Sequence, residues 1–147
     1  MSLSQKCQYA LRALFELATK QGQGPIRIGL IAEVQGVPPR FLELILGELR
    51  NGGYVASRRG VRGGYMLAMP PAAISVGDII RFLDGPLSPV KQINRRDSQN
   101  HPHYGDQAFA ALWQKASDGL AAVYDATSLQ DLIDDEQTAR DVSNYAI

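Results

Sequence analysis

Apolar residues recur at steps of three and four over the first third of the chain, the spacing of one face of an α-helix. Breaks rich in glycine and proline divide this stretch into three segments. Helices are therefore predicted over residues 4–20, 29–35 and 39–51. The residues expected to point inward from the second and third helices are Leu30, Ile31, Val34, Phe41, Leu42, Ile45, Leu46 and Leu49.

A tight turn at residues 36–38 separates the second and third predicted helices, as in a helix-turn-helix. Residues 54–57 and 65–68 favour two strands, and the glycine-rich stretch between them favours a hairpin tip. A hairpin that directly follows the second helix of a helix-turn-helix is typical of a winged helix. The predicted fold class is therefore mainly α with a small β-hairpin, a winged helix-turn-helix.

The second half of the chain predicts two more helices, over residues 74–83 and 108–126, on either side of a polar loop. Ser75 is the expected N-cap of the first of them. In the longer helix five apolar residues step by four and three, as in helices that pair with another helix. These residues are Phe109, Trp113, Ala116, Leu120 and Val123. The spacing favours a dimerisation helix, and packing against the chain's own domain is the alternative.

Charge is distributed unevenly along a chain whose formal net charge is zero. Residues 1–65 carry nine basic and four acidic side chains, a net charge of +5, and the remainder carries six basic and eleven acidic ones, a net charge of −5. The asymmetry indicates a basic head that meets DNA phosphates and an acidic remainder, with uneven solvation of an ordinary surface as the alternative. The expected parts are a DNA-binding domain (1–84), an effector or linker loop (85–107), a dimerisation helix (108–126) and an acidic C-terminal segment (127–147).

Particular side chains of the basic head are candidates for DNA contact. Arg40 and Glu43 lie opposite the apolar stripe near the start of the third helix, where side chains reach base edges. The hairpin tip suits the minor groove because its glycines allow close approach and its arginines seek negative potential. The tip candidates are Arg58, Arg59, Gly60 and Arg62. Lys6 and Gln8, at the start of the first helix, are candidates for phosphate contact.

A single cysteine, Cys7, limits the chemistry of the chain. It excludes disulfide frameworks and multi-cysteine zinc or iron–sulfur sites within one chain. It permits a redox or alkylation sensor, because a thiol at a helix start has a lowered pKa, with a structural cysteine as the alternative. No catalytic spacing or phosphate loop is evident, so an enzyme is not predicted. The chain shows no long apolar run and no signal-peptide core at its start, so a cytoplasmic protein with no membrane partner is expected.

Several stretches in order along the chain resemble the Rrf2 (BadM-like) family of bacterial winged-helix transcription regulators. They are Lys6 with Tyr9, Phe41-Leu42-Glu43, Leu49 to Val55, the hairpin-tip stretch Arg59 to Leu67, Ile74 to Ile80, Leu112-Trp113 and Ser128 to Leu132. The resemblance implies a homodimer that binds a palindromic operator, most simply as a repressor, and adds Tyr9 and Phe41 to the candidate DNA contacts. A winged helix used only for protein contacts is the alternative function.

The resemblance also carries a departure from the family pattern. Iron–sulfur members have three cysteines between the fourth helix and the long helix, and residues 90–107 contain none. No cofactor is therefore predicted. His101 and His103 lie in this segment as weak candidates for a metal site, with solvated histidines as the alternative.

Among cluster-free members, the chain is most similar to the cysteine-metabolism repressor type. The matching residues are Asp84 to Val90 and the ending Tyr145-Ala146-Ile147. In the family this type is controlled by association with cysteine synthase, whose active site accepts a C-terminal isoleucine from another partner. Ile147 is thus a candidate plug for that enzyme, with a frayed terminus as the alternative.

Overall fold

The structure is a computed structural model that describes residues 2–90 and 102–145. Three helices form the first third of the chain. The helices are α1 (Gln5–Thr19), α2 (Ile28–Gln35) and α3 (Pro39–Asn51). Gly36 ends α2 in the left-handed conformation, with φ +66°, and so sets the turn into α3. The three predicted helices are confirmed, each boundary within one residue of the prediction.

The hairpin follows α3 directly and forms the wing. Strands β1 (Val55–Arg58) and β2 (Gly64–Leu67) pair antiparallel, one residue away from their predicted bounds. Ile26, just before α2, forms an isolated β-bridge with Tyr65 of β2 through two hydrogen bonds of 2.8 Å. A Cβ on Gly64 would collide with the Ile26 carbonyl oxygen, so this glycine lets the wing approach the backbone that leads into α2.

Three further helices lie within the described residues. After a 3₁₀ turn (Pro71–Ala73) come α4 (Val76–Asp84), α5 (Asp106–Asp125) and α6 (Leu129–Tyr145). The sequence prediction began α4 two residues early because Ile74 is apolar, but Ser75 is the N-cap, and its Oγ accepts a hydrogen bond from Asp78 N–H at 3.0 Å. Within the described residues, none of the helices is both long and apolar enough to cross a membrane.

The helix α6 was missed by the sequence prediction, which assigned only an acidic segment there. Ser128 and Asp131 form a capping box at its start, exchanging hydrogen bonds of 2.9 and 3.1 Å between side chain and backbone. That Ser-x-x-Asp spacing is a helix signal that the high acidic content obscured. Leu129, the first residue of α6, is fully buried in the main core with α1, α2 and α3.

The inward-facing residues of α2 and α3 differ in part from those predicted. Leu30 and Val34 are 43% and 53% exposed, and Ile31 is buried. The reason is that α2, a short helix, contacts α1 and α3 along one narrow face, and that face covers Ile31 but not Leu30 or Val34. Phe41 is likewise 39% exposed, while the four other predicted core residues of α3 are buried.

The long helix α5 rests on α4 and buries none of its 20 residues in the described chain. Arg81 of α4 donates hydrogen bonds of 2.6 and 2.8 Å to the carboxylate of Asp125. These bonds hold the pKa of Asp125 below its ordinary value. A small apolar cluster joins the same parts of the molecule, since Ala121 and Tyr124 pack against buried Cys7 and its neighbours.

Candidate nucleic-acid interface

The start of α3 presents the side chains that the sequence analysis assigned to base contact. Arg40 and Glu43 are both exposed. The Arg40 guanidinium lies 5.1 Å from the centre of the Phe41 ring, and that ring lies 6.1 Å from the ring of Tyr9. The Phe41 ring therefore contacts the Arg40 guanidinium, and its contact with Tyr9 joins α1 to α3.

The start of α1 is tied to α3 by an ion pair. The Lys6 ammonium lies 3.2 Å from a carboxylate oxygen of Glu48, and about half of each side chain remains exposed. Gln8 is exposed and donates a hydrogen bond of 3.1 Å to the Leu3 carbonyl. Because the Lys6–Glu48 pair is exposed, a competing DNA phosphate would displace Glu48 at little energetic cost.

The wing tip places all of its predicted residues in solvent. Arg58, Arg59, Gly60 and Arg62 are exposed. A hydrogen bond of 3.0 Å from Gly63 N–H to the Gly60 carbonyl closes the turn. A Cβ on Gly63 would collide with the Arg58 carbonyl oxygen, so only glycine fits there.

Three further residues near this surface were not predicted from the sequence. Arg27 donates a hydrogen bond to the Val61 carbonyl at the wing tip, and Arg50 donates one of 3.2 Å to the Ser57 hydroxyl. Leu44 is 70% exposed on α3, one turn after Arg40. Arg27 and Arg50 are among the nine basic residues of positions 1–65, but the sequence could not show that both contact the wing.

The predicted dimer residues form a partly exposed stripe on α5. Phe109, Trp113 and Val123 are 58%, 37% and 63% exposed, and Ala116 and Leu120 are half-buried. The Phe109 and Trp113 rings stack with centres 6.1 Å apart. The contacts of α5 with α4 and with the Cys7 cluster use Ala121, Tyr124 and Asp125, which lie outside this stripe.

The donor groups of the chain do not fit a resident iron–sulfur cluster. Such clusters are held by several thiolates, whereas Cys7 is the one cysteine and is fully buried. Burial, together with the nearby Asp84 carboxylate, raises the pKa of Cys7 to about 11. The expectation of a lowered pKa for this thiol is therefore wrong.

The weaker candidates from the sequence stay without structural support. No grouping of three metal-ligating side chains occurs in residues 2–90 and 102–145. His103 is exposed, and its backbone N–H donates a hydrogen bond of 2.7 Å to the Asp106 carboxylate. His101 and Ile147 lie outside the described residues.

Comparisons with known proteins agree with this geometry. Residues 3–135 match the Rrf2 family, described as iron-dependent transcriptional regulators. The HTH-type transcriptional regulator CymR of Bacillus subtilis (strain 168) is 39% identical over 142 residues, which cover 95% of this chain and 96% of CymR.

Two solved structures share the fold along most of both chains. CymR (YrzC), the global cysteine regulator of B. subtilis, has a TM-score of 0.73 at 38% identity and covers 90% of this chain and 95% of its own. T. potens IscR has a TM-score of 0.75 at 34% identity, with coverage of 95% and 90%. From its sequence, its wing and its recognition helix, the chain belongs to the Rrf2 family of DNA-binding transcriptional regulators.

Proposed function

We propose that the protein is a sequence-specific repressor that binds a palindromic operator as a homodimer and carries no resident iron–sulfur cluster. The observation that carries this proposal is the pairing of an exposed arginine-rich wing tip with α3 as the recognition helix, whose side chains Arg40 and Glu43 are also exposed. An exposed cationic tip beside a solvent-facing helix start matches the way winged helices engage a duplex.

Base reading is assigned to the start of α3. Arg40 is suited to a bidentate contact with guanine, and Glu43 to accepting a hydrogen bond from the amino group of cytosine. Leu44 follows on the same exposed face and offers an apolar surface to a thymine methyl group. The contact of the Arg40 guanidinium with the Phe41 ring supports this role, because it limits the orientations of the guanidinium.

Phosphate and minor-groove contacts are assigned to the flanking elements. Arg58, Arg59 and Arg62 of the wing tip enter the minor groove, with Gly60 allowing close approach. The start of α1 meets the backbone through Lys6, Gln8 and Tyr9. Lys6 already pairs with a carboxylate on α3, which supports a position close to the recognition helix.

The homodimer is assigned to the stripe on α5. None of its five residues is fully buried in the described chain, Phe109 and Val123 are more than half exposed, and a second copy of the same helix offers a matching stripe. Two recognition helices related by a two-fold axis read half-sites about 34–36 Å apart, which makes the operator palindromic. Repression then follows from occupation of the promoter by the dimer.

The signal is assigned to the segment between α4 and α5. Its described start is anchored, because Leu87 is 7% exposed and packs beside Cys7 and Ile80. A change in this segment would alter how α5 rests on the head, and with it the spacing of the two wings.

A second candidate is a protein-contact role through the C-terminus, with cysteine synthase as partner and Ile147 as the plug. The similarity to CymR, a global cysteine regulator, favours it. Amidation or deletion of Ile147 should then lower affinity for cysteine synthase, and unchanged affinity would exclude the plug.

The deciding experiment is selection of binding sites from genomic DNA with the purified chain, followed by titration at several salt concentrations. We expect a palindromic site, whose affinity falls steeply as salt rises because each neutralised phosphate releases counterions. Arg40→Ala and Glu43→Ala should change the preferred bases, and Arg140→Gln on distant α6 should not. Absence of salt-sensitive binding to any fragment would favour the protein-contact role.

A further inference from the structure

A pocket of about 440 Å³ lies between the start of α2, the end of α3 and the wing. Four arginines line it, two from the helices and two from the wing: Arg27, Arg50, Arg58 and Arg59. None of the lining residues in the described chain is acidic. So many cations around one cavity repel each other unless an anion enters.

The backbone at Arg27 is fixed before any ligand binds. The preceding residue, Ile26, pairs with Tyr65 through two hydrogen bonds of 2.8 Å. Gly64 allows this approach, since a Cβ there would lie 3.0 Å from Arg27 N. The guanidinium then donates to the Val61 carbonyl, so Arg27 joins the start of α2 to the wing tip.

The far side of the pocket is fixed in a similar way. Arg50, in the last turn of α3, donates a hydrogen bond of 3.2 Å to the Ser57 hydroxyl on β1. Each helix arginine uses one hydrogen bond to hold the wing and keeps further N–H donors for a ligand.

The start of α2 adds to the positive potential. Arg27 is the N-cap of α2 and provides no side-chain cap, and Ile28, the first helical residue, borders the pocket. The first N–H groups of a helix carry partial positive charge and attract anions.

We infer that this pocket binds one backbone phosphate of the operator, and that Arg27 and Arg50 are contacts that hold the wing in place over the minor groove. The ligand is a tetrahedral phosphodiester, which suits the planar, bidentate donors of arginine. This inference rests on the proposed DNA-binding function, and it assigns a role to two residues that lie outside the wing tip and the recognition-helix start.

The test combines arginine variants with DNA in which single phosphates are replaced by neutral methylphosphonates. Affinities are measured by fluorescence anisotropy at one salt concentration, using the full chain and its selected operator. We expect one position per half-site whose neutralisation weakens the unmodified protein about tenfold. Arg27→Gln should bind unmodified DNA about tenfold more weakly than the unmodified protein does. Its affinity should not fall further when the phosphate at that one position is neutralised, but should still fall at the other contacted positions. Arg50→Gln should show the same insensitivity, and Arg140→Gln should behave as the unmodified protein.

The alternative outcomes are distinct. If Arg27→Gln stays sensitive at every phosphate position, Arg27 does not contact the backbone and the inference is overturned, while the repressor proposal stands. If inorganic phosphate at constant ionic strength binds the unmodified protein but not Arg27→Gln, and methylphosphonates have no effect, the pocket takes a free phosphate and the DNA assignment is wrong. If the unmodified protein binds no DNA, the proposed function and this inference both fail.

Discussion

Cys7 lies at the start of α1 but is surrounded by apolar side chains and by a carboxylate. The Asp84 carboxylate accepts hydrogen bonds of 2.8 and 2.5 Å from Ser4 N–H and Oγ, directly beside the thiol. Ser4 Oγ in turn accepts a hydrogen bond from Cys7 N–H, so one of the free N–H groups at the start of α1 is already paired. Burial, and then the Asp84 charge, therefore outweigh the helix dipole, and the pKa rises to about 11.

The raised pKa of Cys7 predicts a specific loss of stability in alkali. The thiol ionises near pH 9 in the unfolded chain and only near pH 11 in the folded one, so stability is complete below pH 9 and falls as the pH rises toward 11. Thermal unfolding from pH 8 to 11 should show this fall, and Cys7→Ala should show a shallower one. Equal slopes would mean that the thiol does not titrate in this window.

The same burial predicts that Cys7 resists alkylation. Iodoacetamide at pH 8 should modify the native protein far more slowly than the unfolded protein, because the thiolate is scarce and covered. Rapid modification of the native protein would restore the sensor hypothesis.

The exposure of Leu44 on α3 leads us to expect that it contacts the methyl group of a thymine in the operator. Replacing one thymine of each half-site by uracil removes only the C5 methyl, and should weaken the unmodified protein about fivefold at the position that Leu44 meets. Leu44→Ala should lose this dependence. Leu30→Ala is the control, since Leu30 is also exposed but lies on α2. A Leu44→Ala protein that still discriminates thymine from uracil at every position would exclude this contact.

At the scale of elements, the contact between α4 and α5 depends on a helical glycine. A Cβ on Gly77 would collide with Asp125 Oδ1, so alanine there displaces the carboxylate from Arg81. Gly47, inside α3, is different, because a Cβ added there would have no atom within 4 Å. The two positions therefore respond differently to the same substitution.

Gly47→Ala should raise the free energy of unfolding by about 0.5–1 kcal/mol, because alanine is the better helix former. Gly77→Ala should give no such gain, since it breaks the Arg81–Asp125 ion pair. The pair lowers the pKa of Asp125, so its contribution is present above the ordinary value of 3.8 and is lost as the pH falls below it. Unfolding followed from pH 6 to 2 should lose this acid-dependent part in Gly77→Ala. An unchanged acid dependence would show that the ion pair survives.

Sequence reasoning predicted the elements whose signals are local. The helices α1 to α3 and the wing have apolar periodicity, proline and glycine at their ends, so their bounds were nearly right. Exposed Leu30 and Val34 were misassigned because a pattern gives the apolar side of a helix and not the extent of its neighbours. The helix α6 was missed because its acidic residues outweighed a short capping signal.

At the scale of the molecule, the placement of Arg27 illustrates what sequence could not predict. Its partner Val61 is 34 residues away, and the two meet only because Ile26 joins the wing sheet. The separation of charge was visible in the sequence, but which arginines share one cavity depends on tertiary packing.

The proposed dimer predicts different outcomes for one substitution at two alanines of α5. Ala116→Glu places a charge in the stripe and should convert the dimer to a monomer, with weaker operator binding. Ala122→Glu places the same charge on another side of the helix, where Ala122 is exposed, and should leave the dimer intact. Analytical ultracentrifugation measures the oligomeric state of both variants. A dimeric Ala116→Glu protein would exclude this stripe as the interface.

Leu129 has a consequence for any attempt to separate the parts of this regulator. The last helix contributes this fully buried side chain to the core of the DNA-binding head, and Leu129 N–H bonds the Ile74 carbonyl at 3.0 Å. A fragment cut after the wing would leave a hole there, and Leu129→Ala alone should lower the free energy of unfolding by about 2–4 kcal/mol in denaturant titration. Chimeric regulators that exchange heads between relatives will therefore need to carry this distant leucine with the head, although more than forty residues separate it from α4.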